Sequence, residues 1–119
     1  MMNQPPPAAP TPSQGGPPYD LIRVDDELIL TFSLPGVRSS DFRVSLVGDH
    51  QVYLEGSVTY RHPVPQDKLA LAERTYGPFT RTVNLPLPVD PGGVTVTFEE
   101  ALLIIRLPLR LQRMALSWE

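Results

Sequence analysis

The sequence predicts an all-β protein, a sandwich of short strands behind a proline-rich N-terminal arm. Three observations predict it. From Tyr19 onward apolar residues recur at every second position, the periodicity of a half-buried strand. Turn residues interrupt that alternation at short intervals. Prolines number 15 against 8 glycines. That is too many for a helical bundle, because each proline removes a donor and blocks the helical turn before it.

The prolines also divide the chain. Residues 1–18 hold seven of them and no charged side chain. This segment lacks the basic start and long apolar run of a secretory signal or membrane anchor. Its composition cannot bury enough apolar area to offset the entropy of ordering, so a mobile, partly polyproline-like arm is expected. Pro7-Ala8-Ala9-Pro10 has PxxP spacing, but no Arg or Lys flanks it to support a proline-motif ligand. Residues 19–108 form the domain and 109–119 a short extended tail. A chain of this length buries roughly 60–70% of its unfolded surface.

Within the domain, Leu28, Leu30, Phe32 and Leu34 share one strand face, with Thr31 and Ser33 on the other. Pro35-Gly36 ends that strand. Phe42, Val44 and Leu46 alternate with Arg43 and Ser45, and Gly48-Asp49 supplies a turn. Val52 and Leu54 return opposite Tyr53 and Glu55, completing a tight hairpin. From Ser57 to Leu71 runs a long connection holding Pro63 and Pro65; such loops are functional or mobile. Leu71–Tyr76 is a further strand candidate, followed by a turn at Gly77-Pro78. In Phe79–Leu85 the residues Phe79, Arg81, Val83 and Leu85 share a face. Pro86, Pro88, Pro91, Gly92 and Gly93 make a broad turn region. Val94–Phe98 and Leu102–Leu107 close the domain, the latter ended by Pro108. In all, about eight short strands and no convincing helix suggest a β-sandwich.

Composition excludes several functions. With no cysteine, disulfide scaffolds, thiolate zinc sites and cysteine nucleophiles are ruled out. A net charge of −3 and a pI near 5.3 argue against binding to nucleic-acid phosphates. No apolar run approaches the roughly 18 residues of a membrane span, so the cytoplasm is the default location. The two histidines, His50 and His62, read as solvated turn residues without metal-ligand spacing. Asp25-Asp26-Glu27 falls at a strand junction, where acidic residues commonly make turns. There is no Gly-rich phosphate loop and no GxSxG. No enzyme activity, cofactor or metal is therefore expected.

Two features ask for more than packing. Arg81 shares the face of Phe79 and Val83, so its charge must be paired or sit at an edge that meets another chain. The plain alternative is an arginine snorkelling out of a sheet edge. In Ala101-Leu102-Leu103-Ile104-Ile105, apolar residues occupy both strand faces. Either both faces are covered or an apolar groove is exposed.

Several motifs, in order and correctly spaced over residues 22–108, resemble the α-crystallin domain of the small heat-shock proteins. They are Leu34-Pro35-Gly36-Val37 with Asp41-Phe42-Arg43-Val44, then Val52-Tyr53-Leu54-Glu55-Gly56. Glu73-Arg74-Thr75-Tyr76-Gly77-Pro78-Phe79-Thr80-Arg81 follows, with Leu85-Pro86 after it, and Leu103-Ile104-Ile105-Arg106-Leu107-Pro108 closes the series. The resemblance implies an immunoglobulin-like β-sandwich that dimerises, the long loop lending the partner a strand. It implies an ATP-independent holdase that binds partly unfolded clients and keeps them from aggregating. On that reading the dimer interface includes Arg81, Tyr60, Val64, Leu69, Leu71 and Glu73. The surface for clients or a tail comprises Phe42, Val44, Leu46, Leu102 and Ile104: the outer face near Leu102 and Ile104, and the edge groove that their strand makes with the strand of residues 42–47. Expected partners are unfolded proteins and a second copy, with no nucleic acid and no membrane.

Three departures from the family pattern bear on assembly. Glu100-Ala101 replaces the usual Asn-Gly of the last hairpin, and Ala accepts positive φ poorly, so a different turn type is expected. The tail lacks an Ile-x-Ile or Ile-x-Val motif; Met114-Ala115-Leu116 is the nearest substitute, with Met114 and Leu116 as docking residues and Leu109-Arg110-Leu111 second. The arm is short and has no aromatic residue before Tyr19. A dimer or small oligomer is expected rather than a large shell. The competing readings are a CS-domain-type co-chaperone acting through another chaperone, and a non-enzymatic ligand-binding or adhesion sandwich. Glu73–Arg81 speaks against the first. Against the second stands the lack of an aromatic platform, Trp118 being the single tryptophan and lying in the tail.

Overall fold

Strand alternation decides the architecture, because each strand has one apolar face to hide. The computed structural model describes residues 16–110. Over them the chain forms seven strands: β1 (Tyr19–Val24), β2 (Glu27–Ser33), β3 (Phe42–Val47), β4 (Gln51–Val58), β5 (Gly77–Asn84), β6 (Thr95–Glu99) and β7 (Leu102–Pro108). All pairings between them are antiparallel. One sheet has the order β1-β2-β7-β6 and the other β3-β4-β5.

The inner faces meet in a single core. Leu28, Leu30, Phe32 and Leu34 are all buried, as the alternation requires, opposite Leu103, Ile105 and Leu107 of β7. Val52, Leu54 and Val83 come from the other sheet. Each such side chain taken out of water contributes about 1.5–3 kcal/mol. Val89 is also buried, although it lies in the proline-rich turn region. It pairs with Leu109, and Asp90 accepts a hydrogen bond from the Gly92 amide at 3.0 Å. Gly56 is required by close approach. A Cβ there would come within 2.7 Å of the Asp41 carbonyl and the Phe79 ring, a separation too short for any fixed atom.

Three local expectations are corrected. Leu71–Tyr76 is not a strand, leaving seven among the described residues; residues 71–75 are all exposed, so the segment has no apolar face to hide against a sheet. Gly77-Pro78 is not a turn but the start of β5, paired with Val58 and Ser57. A proline is tolerated there because β5 is an edge strand, whose outward side needs no donor. Glu100 and Ala101 adopt φ of 51° and 68°, so the turn keeps positive φ at both positions instead of changing type. The register Glu99↔Leu102 leaves only two loop residues, and a two-residue loop must match the right-handed twist of its strands. The twist overrides the preference of Ala, and the Leu34 amide holds the turn by donating to the Ala101 carbonyl at 2.7 Å. Beyond Pro108, Leu109 and Arg110 stay bound to the sandwich. The Leu109 amide donates to Asp26, the Arg110 amide to Pro88, and the Arg110 guanidinium to Asp49 at 2.7 Å.

Candidate functional site

An open sandwich has two long sides, and each is bounded by one edge strand from each sheet. Here the Phe42–Phe98 contact puts β3 against β6 on one side, and the Arg81–Tyr19 contact puts β5 against β1 on the other. The strand ends between them are where another chain can add.

On the β3/β6 side the inward residues are apolar. Phe42 and Phe98 meet edge to face, with ring centroids 5.0 Å apart. Val44 and Leu46 are half-buried against the core, while Val96 remains 47% exposed. The expected groove is thereby redrawn. Phe42, Val44 and Leu46 do line an edge, but Leu102 and Ile104 do not join them. β6 is the edge of its sheet and its Phe98 meets Phe42, so β6, not β7, lies opposite β3; the register Phe98↔Leu103 and Val96↔Ile105 puts Val96 and Phe98 on the inward face. Leu102 and Ile104 point to the outer face of their sheet, with Leu102 exposed and Ile104 half-buried. Ile22 and Ile29 share that outer face, beside the Glu27–Arg106 ion pair at 2.6 Å. Val96 and Phe98 therefore belong to the groove, which the sequence pattern does not single out. Their alternation was visible, but nothing local says which strand faces β3.

On the β1/β5 side the inward residues include a charge. Arg81 is half-buried opposite Leu54, on the same face as Phe79 and Val83, as expected. Its guanidinium lies 4.7 Å from the ring centroid of Tyr19, and Tyr19 in turn packs on Phe32 at 5.4 Å. A cation over an aromatic face keeps favourable electrostatics where water is partly excluded. A cleft of about 340 Å³ opens beside this edge, bounded by Pro17, Pro18, Leu34, Val58, Pro78 and Phe79.

The long loop between β4 and β5 is organised by rings. Tyr60, His62 and Tyr76 lie edge to face at 5.1–6.2 Å, and the Arg74 guanidinium sits 5.5 Å from the Tyr76 ring centroid. His62 Nε2 is 3.0 Å from the Tyr76 hydroxyl, and the Tyr60 hydroxyl donates to the Val64 carbonyl. His62 is thus not merely a solvated turn residue. His50 is exposed in its turn, 3.2 Å from Asp49. Desolvation among the rings, together with Tyr76, raises the Tyr60 phenol above its ordinary pKa. Of the other proposed interface residues, Val64, Leu71 and Glu73 are exposed and Leu69 half-buried, with Leu71 the most open at 75%. Met114 and Leu116 lie outside the described residues. Asp25, with φ of 52°, turns β1 into β2, and Glu27 is engaged by Arg106. The described residues hold no cluster of three metal-ligating side chains and no helix long and apolar enough to cross a membrane.

Comparison with known proteins agrees with this geometry. The family model of the Hsp20/alpha crystallin family matches residues 20–115. Small heat shock protein C2 of Rickettsia felis is 25% identical over 96 residues, covering 81% of this chain and 62% of that protein. Spore protein SP21 of Stigmatella aurantiaca is 29% identical over 94 residues, covering 79% and 55%. The chain thus spans about three-fifths of the length of these curated relatives. Among solved structures, hspA from Xanthomonas axonopodis aligns with a TM-score of 0.71 at 27% identity, covering 82% of this chain and 96% of that one. A small heat-shock protein from Xylella fastidiosa, which has a distinct high-order structure, aligns with a TM-score of 0.75 at 24% identity, covering 89% and 96%.

Proposed function

Because the chain belongs to the Hsp20/alpha crystallin family, we propose that it is an ATP-independent holdase of the cytoplasm, binding partly unfolded proteins and keeping them from aggregating. The observation that carries this reading is the β3/β6 side. There an apolar lining of Val44, Leu46, Val96 and Phe98 adjoins strand edges without a further neighbour among the described residues. Exposed apolar surface on a client is captured by such a lining without specific chemistry, and an extended segment adds main-chain hydrogen bonds to the edge. Leu102 and Ile104 on the outer face form a second, separate contact surface. Met114-Ala115-Leu116 of a neighbouring chain is a competitor for the edge.

The protein works as a dimer or small oligomer, joined through the β4–β5 loop. That loop carries exposed Val64 and Leu71, which gain by burial against a second copy. Arg81 stands at the edge the partner meets.

The test is to heat an aggregation-prone model client with and without the protein, in the absence of ATP, and to follow turbidity. Suppression at stoichiometric ratio is expected, and Val96→Asp should abolish most of it. Unchanged turbidity with the unaltered protein overturns the holdase reading.

A further inference from the structure

The residues that lead into β1 do more than connect. The Ser33 amide donates to the Pro18 carbonyl at 3.1 Å, so Pro18 extends the β1–β2 ladder by one bond. Two residues earlier, Gly16 lies against the opposite sheet. A Cβ on Gly16 would be 2.5 Å from Arg81 Cδ, 2.6 Å from Arg81 Cγ and 2.6 Å from the Thr80 carbonyl oxygen. Within three residues the chain therefore crosses from the β5 edge to the β1 edge. It passes over the side chain of Arg81, whose guanidinium is also under Tyr19. Gly16, Pro17 and Pro18 form one wall of the cleft, and Arg74, Thr75, Gly77 and Pro78, at the end of the long loop, form another.

We propose that Gly16–Pro18 is a strap that closes the β1/β5 side over Arg81 and must lift before a second copy of this chain can occupy that side. The proposal rests on the dimer reading above. Its physical content is competition for one place. The strap covers the Arg81 stem and the Thr80 carbonyl, the backbone acceptor an added strand would use, so strap and partner exclude each other. Two features suit the strap to lifting. It is held by one ladder hydrogen bond at Pro18, and its two prolines have no amide hydrogen to add more. Its close seat at Gly16 exists only because that residue has no Cβ. The carbonyl of Thr80 is fixed in β5, so a larger residue at position 16 cannot be accommodated by turning a flexible side chain aside.

The experiment compares the full-length chain with Gly16→Val, with a variant beginning at Pro18, and with Gly92→Ala as a control at the other end of the sandwich. At Gly92 an added Cβ meets only ordinary contact, 3.5 Å from the Asp90 carboxylate. Self-association is measured by sedimentation velocity over a concentration series, and exchange of the Ser33 amide by hydrogen–deuterium exchange at low concentration. The strap predicts faster Ser33 exchange in Gly16→Val and at least a tenfold lower dimer dissociation constant in both opened variants, with Gly92→Ala unchanged. Unchanged Ser33 exchange in Gly16→Val overturns the close seat, and with it the strap. Dimers equally tight, or weaker, in the opened variants overturn the gating while leaving the dimer itself intact. If every variant stays monomeric, the dimer reading fails and the strap has nothing to gate.

Discussion

The two sides of the sandwich solve the same problem with different chemistry. Each must finish an apolar interior where two sheets end and no further strand follows among the described residues. The β3/β6 side does so with paired rings, Phe42 on Phe98, and leaves Val96 open. The β1/β5 side does so with a cation on a ring, Arg81 over Tyr19, and lays Gly16–Pro18 across it. Apolar side chains at an edge attract any apolar segment, whereas an arginine with a close backbone contact admits fewer partners. The contrast teaches that exposure and selectivity can be divided between two sides of one small domain.

The largest expected effect on folding stability is on the apolar side. Phe98→Ala removes a half-buried ring and its edge-to-face partner, and a loss of about 2–3 kcal/mol is expected in urea denaturation. A cycle with Phe42→Ala should show a coupling of about 0.5–1.5 kcal/mol between the rings. Additive losses would mean that the two rings pack independently.

Arg81→Ala should cost the folded monomer less, about 1–2 kcal/mol, from the lost stem packing and cation–ring attraction. Arg81→Lys should recover part of this. On the dimer reading proposed above, an Arg81 paired with a partner's carboxylate adds a loss of dimer affinity, on the order of 3–5 kcal/mol for a buried pair that loses one member. Sedimentation and melting measured together separate the two. An Arg81→Ala variant with an unchanged melting point and dimer affinity would make Arg81 a plain surface charge.

The strand that bounds the apolar groove, β6, is left through a strained turn. Ala101 at φ 68° should therefore respond to Ala101→Gly with a gain of about 1 kcal/mol. For a domain of this size that is a rise of roughly 4–8 °C in melting temperature. No rise, or a fall, would show the turn to be unstrained.

The smallest effect concerns the outer face near β1. Hydrogen bonding and charge attraction from Arg106 hold the Glu27 carboxyl below its ordinary value near 4.5. A carboxyl lowered in the folded state contributes stability that is present above its unfolded value and is lost as pH falls through the folded one. Glu27→Gln should therefore lower stability slightly at neutral pH, the pair being exposed, leave it unchanged well below pH 4.5, and so flatten part of the acid limb. Parallel acid limbs in the two proteins would remove Glu27 from the account.

How much of this was legible follows from range. Alternation is local, so the inward residues of β2, β3, β4 and β7, and the inward position of Arg81, could be read from the chain alone. So could the ends at Pro35 and Pro108, where a missing donor stops a ladder, and the family motifs from Leu34 to Pro108. Other features depend on residues far apart in sequence. The placing of β6 opposite β3, which gives the groove Val96 and Phe98 instead of Leu102 and Ile104, is set by how two twisted sheets stack. The positive φ at Ala101 is imposed by strand twist against the preference of the residue. The ring cluster joins Tyr60 and His62 to Tyr76 across a loop, and Gly16 meets Arg81 across 65 positions of sequence. Which side chains must be hidden is written in the order of residues, because hydrophobic period is a property of neighbours. Which edges face each other, and what lies across them, emerges only on folding, because edges are made by strands that are distant in the chain.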